Sequence, residues 1–227
     1  SARKSSANFA FPVTFATTAT ASSPPGTYPI YVMGGESPKY TLAANSGVLT
    51  ITNSGGATFQ STTAATTVTL TNTTGTVLFT GAVTIGTLNT AAQSYAITFN
   101  GGGTVTTAGT MTNTGLLTIG SSGLAVTNGF THTAGSSAVN GALTSTNSAI
   151  TLGVTTSSGT SSIATGSGSI ALGALTLADS ASFTLTNSGA GTVGLTTVSG
   201  TALGAASDLT ISSASTVTVT GAVGTDI

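Results

Sequence analysis

From about Asn53 onward the chain alternates apolar and hydroxyl residues with a period of two. The pattern already runs through Val48-Leu49-Thr50-Ile51-Thr52. It recurs at Thr67-Val68-Thr69-Leu70-Thr71, Ala96-Ile97-Thr98-Phe99, Leu117-Thr118-Ile119 and Ala149-Ile150-Thr151-Leu152. It is still present at Ser182-Phe183-Thr184-Leu185-Thr186 and Thr216-Val217-Thr218-Val219-Thr220. Successive side chains of a strand point to opposite faces, so each segment has one aliphatic face and one threonine face. Branching at Cβ also suits Thr and Val to the pleat. No stripe with a period of 3.6 residues appears, so no helix is predicted.

The strands are short and end in Asn or Gly. Thr-Asn recurs at Asn53, Asn72, Asn113, Asn128, Asn147 and Asn187. Both residue types accept the left-handed backbone of a sharp corner. An antiparallel sandwich fits this punctuation locally. A transmembrane barrel does not, since it needs strands of about ten residues and aromatic girdles. A parallel β-solenoid suits it best, because stacked coils let Thr and Asn ladders satisfy one another without charge. The predicted fold is therefore all-β: a parallel β-solenoid (β-helix) over 54–227, preceded by a small β-rich segment over 1–53. Coils of roughly 20–25 residues would give about seven or eight turns and a rod on the order of 35–40 Å long. The Thr-Asn corners show no strict period, which points to coils of unequal length.

Composition sharpens the boundary. All five prolines, Pro12, Pro24, Pro25, Pro29 and Pro38, precede residue 40. So do Phe9, Phe11, Phe15, Tyr28 and Tyr31, and the charged Arg3, Lys4, Glu36 and Lys39. From Tyr40 to Ala178 there is no Asp, Glu, Lys or Arg at all, and the whole chain is 3% charged. A typical domain is about one quarter charged. Such a surface cannot rely on charge repulsion to stay dispersed; it faces water with hydroxyls and amides, or faces another copy of itself.

The net charge of −1 leaves no basic patch for phosphates, so nucleic acid is not an expected partner. Mean hydropathy is +0.42, yet no apolar run approaches the ~18 residues of a membrane-spanning helix. Cysteine is absent, which removes disulfides and thiolate chemistry and suits a secreted bacterial protein. Ser1 and Ile227 look like the ends of a processed or excised segment, since no initiator Met is present and the strand pattern still runs at the C-terminus.

Candidate chemistry is sparse. His132, in Phe130-Thr131-His132-Thr133, is the sole histidine, and it reads as a solvent-facing strand residue. A triad would require it to meet Asp179 or Asp208, with no G-x-S-x-G elbow to supply the serine. Asp179 and Asp208 lie far enough apart to stack one coil on the next. Each precedes a strand, however, which points to turn formation rather than an acid pair. Gly166-Ser167-Gly168-Ser169 has the glycines of a calcium-binding roll but none of its acids. No cofactor or metal site and no enzymatic activity are expected. Asn72-Thr73-Thr74 is a lone N-x-T sequon. Thr67/Thr69/Thr71 and Thr216/Thr218/Thr220 are local versions of the threonine arrays on ice-binding solenoids.

Two resemblances bear on function. Pro25-Gly26-Thr27-Tyr28-Pro29-Ile30, Gly34-Gly35-Glu36-Ser37-Pro38-Lys39-Tyr40-Thr41 and Gly47-Val48-Leu49-Thr50-Ile51 resemble the C-terminal half of the bacterial MBG-type module of surface adhesins. That match spans about 18–52. Residues 54–227 are similar in composition to the hemagglutinin-type β-helix of filamentous adhesins and autotransporter passengers. Together they imply a secreted or cell-surface bacterial protein and bring no catalytic residue. A half-module leaves strand edges open. The expectation is therefore a structural subunit or rod segment of an extracellular fibre that assembles with itself head-to-tail. Phe9, Phe11, Val13 and Phe15 would form an inserting strand and Leu209, Ile211, Val217 and Val219 the receiving edge. The alternative is a monomeric adhesin passenger that binds cell-surface glycans; an ice-binding solenoid is the remaining reading.

Overall fold

The computed structural model describes residues 14–17, 30–33, 47–52, 54–201, 204–224 and 226–227. No helix occurs among them. The chain divides into two compact units, Ser1–Ser46 and Gly47–Ile227. In the first, strand Thr14–Thr17 pairs antiparallel with Ile30–Met33, placing Phe15 opposite Val32. The second is a parallel β-solenoid of about eight turns. It begins at Gly47 rather than just after Asn53, so Val48–Thr52 is its first strand.

Three ladders of parallel strands run the length of the solenoid. The first contains 63–65, 83–85, 103–105, Leu124–Val126, Ala142–Ser145, Thr160–Thr165, Ser182–Asn187 and Asp208–Ser213. The second starts with Val48–Thr52, 67–71 and 87–90; after a break in the pairing it resumes at Gly109–Thr110 and continues through Phe130–His132, Ile150–Leu152, 170–172 and 193–195 to Val217–Val219. The third stacks Ala57–Phe59, Thr76–Phe79, Ala96–Phe99, Leu117–Ile119, Ser137–Val139, Thr155–Ser157, 175–177 and 198–200. Long strands cross between ladders without a break. Thr63–Thr71 and Val83–Thr90 serve the first and second, while Ile170–Leu177 and Val193–Gly200 serve the second and third. This sharing merges the ladders into sheets of nine and twelve strands.

The period is clearer in register than in text. Val77, Ile97, Leu117 and Ser137 occupy one column, each 20 residues after the one before. Thr155 follows after 18, and the step from Ser182 to Asp208 takes 26. The Thr-Asn signals hid this repeat because they mark two different corners. Asn72 and Asn113 stand between the second and third ladders, and Asn128, Asn147 and Asn187 between the first and second. Asn53 lies outside the described residues.

Every second side chain points inward and meets its equivalent in the next turn. Phe59, Phe79 and Phe99 stack with ring centroids 4.9 and 5.1 Å apart and planes within 12° and 6°. That spacing matches the ~4.8 Å between paired strands, so identical rings fall naturally into offset stacks. Ile119 and Val139 continue the column, with Val77, Ile97 and Leu117 beside it, all fully buried. Outward, hydroxyls bond hydroxyls across turns, as between Thr52 and Thr71 at 3.0 Å. Corners bring backbones into near contact. A Cβ on Gly135 would stand 2.5 Å from the Gly115 carbonyl oxygen, which is why this corner takes glycine at an ordinary φ.

Candidate functional site

The four residues expected to receive a strand all lie in the last described rung. Leu209 and Ile211 stand opposite Phe183 and Leu185, and Val217 and Val219 opposite Val193 and Leu195. They continue the inward apolar columns. Leu209, Ile211 and Val219 are packed partly against the core, while Val217 is 43% exposed. Asp208–Ser213 is the edge of the nine-stranded sheet. Its outer N–H and C=O groups have no strand partner among the described residues. Of the expected inserting strand, Phe15 lies in the hairpin with Val32; Phe9, Phe11 and Val13 lie outside the described residues.

The described aromatic side chains are spent on the core. Phe79, Tyr95, Phe99, Phe130 and Phe183 are at most 1% exposed and offer no ring face to a sugar, while Phe59 is half-buried with one face stacked on Phe79. A shallow groove runs beside Thr87, Asn89, Thr107 and Thr110, where Gly109 (φ 54°) interrupts the second ladder. Hydroxyls, one amide, Leu88, Ala108 and backbone line it, with no charge. The two Thr-x-Thr motifs sit at opposite ends of the second ladder. Between them the outward positions include Asn89, Ala171 and Gly194, which break the hydroxyl grid.

His132 is not solvent-facing as expected; it is fully buried. Alternation explains this: Phe130 points inward, so the residue two positions on does too, and Thr131 takes the outer face. The Nε2 lies 3.1 Å from the Asn113 carbonyl oxygen and Nδ1 lies 2.9 Å from Ser137 Oγ. A carbonyl can only accept, so Nε2 carries the proton and Ser137 donates to Nδ1. The pair has the outline of a Ser-His dyad, but Ser137 is itself fully buried and no acid stands behind the ring. Burial holds the imidazole below its usual titration range, although the Asn113 carbonyl pulls the other way.

Asp179 and Asp208 do not stack. The 26-residue step seats Asp208 against Ser182, while Asp179 accepts a hydrogen bond from Thr201 at 2.5 Å. Among the described residues no three His, Asp or Glu side chains gather as a metal site would require. In the sequon, Thr73 is fully buried and Asn72 accepts from Gln93 Nε2 at 2.8 Å.

The corner asparagines have a different role from the one expected. Asn72 alone among the described ones adopts the left-handed backbone, at φ 49°. The others clasp a neighbouring turn. Asn128 donates to Thr107 Oγ1, and Asn147 Oδ1 accepts from Ser167. Asn187, 1% exposed, donates to Thr165 Oγ1 at 3.0 Å and to the Gly168 carbonyl oxygen at 2.5 Å, and accepts from the Gly189 amide. Asn187→Leu strands these partners in the interior, so a loss of about 1–3 kcal/mol is expected in a urea titration. No protein-family model, curated protein or solved structure compared with the chain matches it.

Proposed function

We propose that this chain is a structural subunit or rod segment of an extracellular bacterial surface fibre or adhesin, extended by strand pairing from rung to rung. The observation that carries this is the set of apolar columns reaching an edge rung. Val217 and Val219 continue the columns of Val193 and Leu195, and Leu209 and Ile211 those of Phe183 and Leu185. A further rung, from a second copy or from like sequence, would bury them and pair the outer edge of Asp208–Ser213. Neither edge strand contains Pro or Lys to block addition. The uncharged stretch from Tyr40 to Ala178 adds no long-range repulsion between units. The resemblance of 18–52 to a surface-adhesin module supports a location outside the cell.

Negative-stain microscopy and sedimentation of the purified chain test the proposal. Filaments that lengthen with concentration are expected, and Val219→Lys in the edge rung should shorten them to single rods. Removing residues 1–22 should abolish them as well if that segment is the inserting strand. Single rods at every concentration would rule out self-assembly. Intact filaments from the truncated chain would rule out the inserting strand alone.

A further inference from the structure

We propose that His132, Ser137 and Asn113 form an acid-sensitive joint, at which protonation of the ring opens the middle turns of the solenoid while the turns on either side remain paired. Unlike the fibre reading, this rests only on the interior of the solenoid.

The argument starts from what the ring can bond. Its two nitrogens are both committed, with Nε2–H donating to the Asn113 carbonyl and Nδ1 accepting from Ser137. A second proton can enter only at Nδ1. There it displaces the Ser137 hydroxyl hydrogen and leaves a cation at a site with no exposure. The surroundings offer it no counter-charge. Its own strand supplies Phe130 and Thr131, the paired strand Ile150–Leu152 supplies Leu152, and the preceding turn supplies Met111, Thr112 and Asn113. The following strand Ser137–Val139 supplies Ser137. The nearest other titratable group is Tyr95, whose carbonyl accepts from Asn113 Nδ2; burial raises its phenol, so it stays neutral in acid. No residue from 40 to 178 is acidic or basic apart from His132 itself. An unpaired buried cation is among the most costly groups a core can hold.

The same level is the least apolar part of the core. The column that holds Val77, Ile97 and Leu117 below holds Ser137 and Thr155 here, then returns to Leu175. The column of Phe79, Phe99, Ile119 and Val139 reaches Ser157 before Leu177. Ser161 is buried beside Ser157, and Asn113 Oδ1 is buried with no partner among the described residues. A polar belt thus lies between two apolar blocks. In a solenoid each turn holds only its neighbours, so a weak level opens locally.

The sign follows from linkage. The closed state holds the ring neutral to a lower pH than the open state, where it titrates near its ordinary value of about 6.5. Below that value the open state binds more protons, so opening becomes more favourable as pH falls and is independent of this group above it. One proton sets the limit at about tenfold in the opening equilibrium per pH unit.

Hydrogen exchange followed by mass spectrometry on the full chain, at about pH 7 and about pH 5 with intrinsic rates corrected, tests this. Peptides within 113–157 should lose protection at the lower pH, while those within 76–99 and 170–198 should keep it. His132→Leu combined with Ser137→Ala extends the Leu152 column and removes the stranded hydroxyl; it should abolish the pH effect. Equal protection at both pH values, a uniform rise along the chain, or an undiminished effect in the double variant would each overturn the proposal. Should that variant fail to fold, the proton spectrum of the single histidine decides: a ring that titrates freely near 6.5 with the core intact overturns it as well.

Discussion

Phe79→Ala is expected to lower the unfolding free energy by about 3–5 kcal/mol, the largest loss of any single core truncation in the solenoid. Phe79 has no exposure and is the middle ring of three, with Phe59 at 4.9 Å and Phe99 at 5.1 Å. Truncation opens a cavity and also removes both stacks, each worth about 0.5–1.5 kcal/mol beyond burial. Backbone pairing of Thr76–Phe79 on both sides prevents collapse into the void. Phe59→Ala should cost clearly less, because Phe59 is half-buried and stacks on one side only. Phe79→Leu keeps an aliphatic column like that of Ile119 and Val139 and should cost about 1–1.5 kcal/mol. Guanidinium titrations of the three variants, followed by far-ultraviolet dichroism, check the order. Equal losses for Phe59→Ala and Phe79→Ala would contradict the stacking account.

Gly103→Ala is expected to cost about 3 kcal/mol or more, although it adds a single methyl. Two effects coincide there. Gly103 has φ +113°, where an L side chain is strained. Its Cβ would also stand 2.5 Å from the Val83 amide nitrogen and closer still to the Val83 carbonyl oxygen. Val83 is the register partner of Gly103 in the first ladder, so the obstacle is backbone and cannot rotate away. Gly194→Ala is the control. It lies on the outer face of the second ladder between Ala171 and Thr218, with open space around it. There the methyl restricts the unfolded chain and should be neutral or stabilise by about 0.4–1 kcal/mol. Melting temperatures of the two variants should therefore move in opposite directions. Similar losses from both would mean that glycine is needed for strand character rather than for close approach.

The strands were legible because a strand writes its two faces directly into the sequence. Leu117-Thr118-Ile119 predicts Leu117 and Ile119 in the core and Thr118 outside, and that is how they lie. The same rule, applied from Phe130, buries His132, whereas polarity alone points the ring outward. The asparagines differ from expectation for a related reason. Their tolerance of left-handed backbone is a local property, but among the described ones only Asn72 uses it. Asn187 is instead fixed by Thr165 and Gly168, groups that the chain brings near only by completing a turn.

Alternation of aliphatic and hydroxyl side chains, with glycine at tight bends and almost no charge, was enough to dictate short strands with two unlike faces and no helix among the described residues, and it favoured a solenoid over a sandwich. These are consequences of local geometry, repeated until one arrangement buries most of the aliphatic faces. The 20-residue rung, the strands shared between ladders and the seating of Asp208 on Ser182 came only from the folded chain. Register depends on how many residues each corner absorbs, and that number is set by backbone packing against the turn beneath. The same holds for the buried trio of His132, Ser137 and Asn113, whose members meet because one turn closes over another.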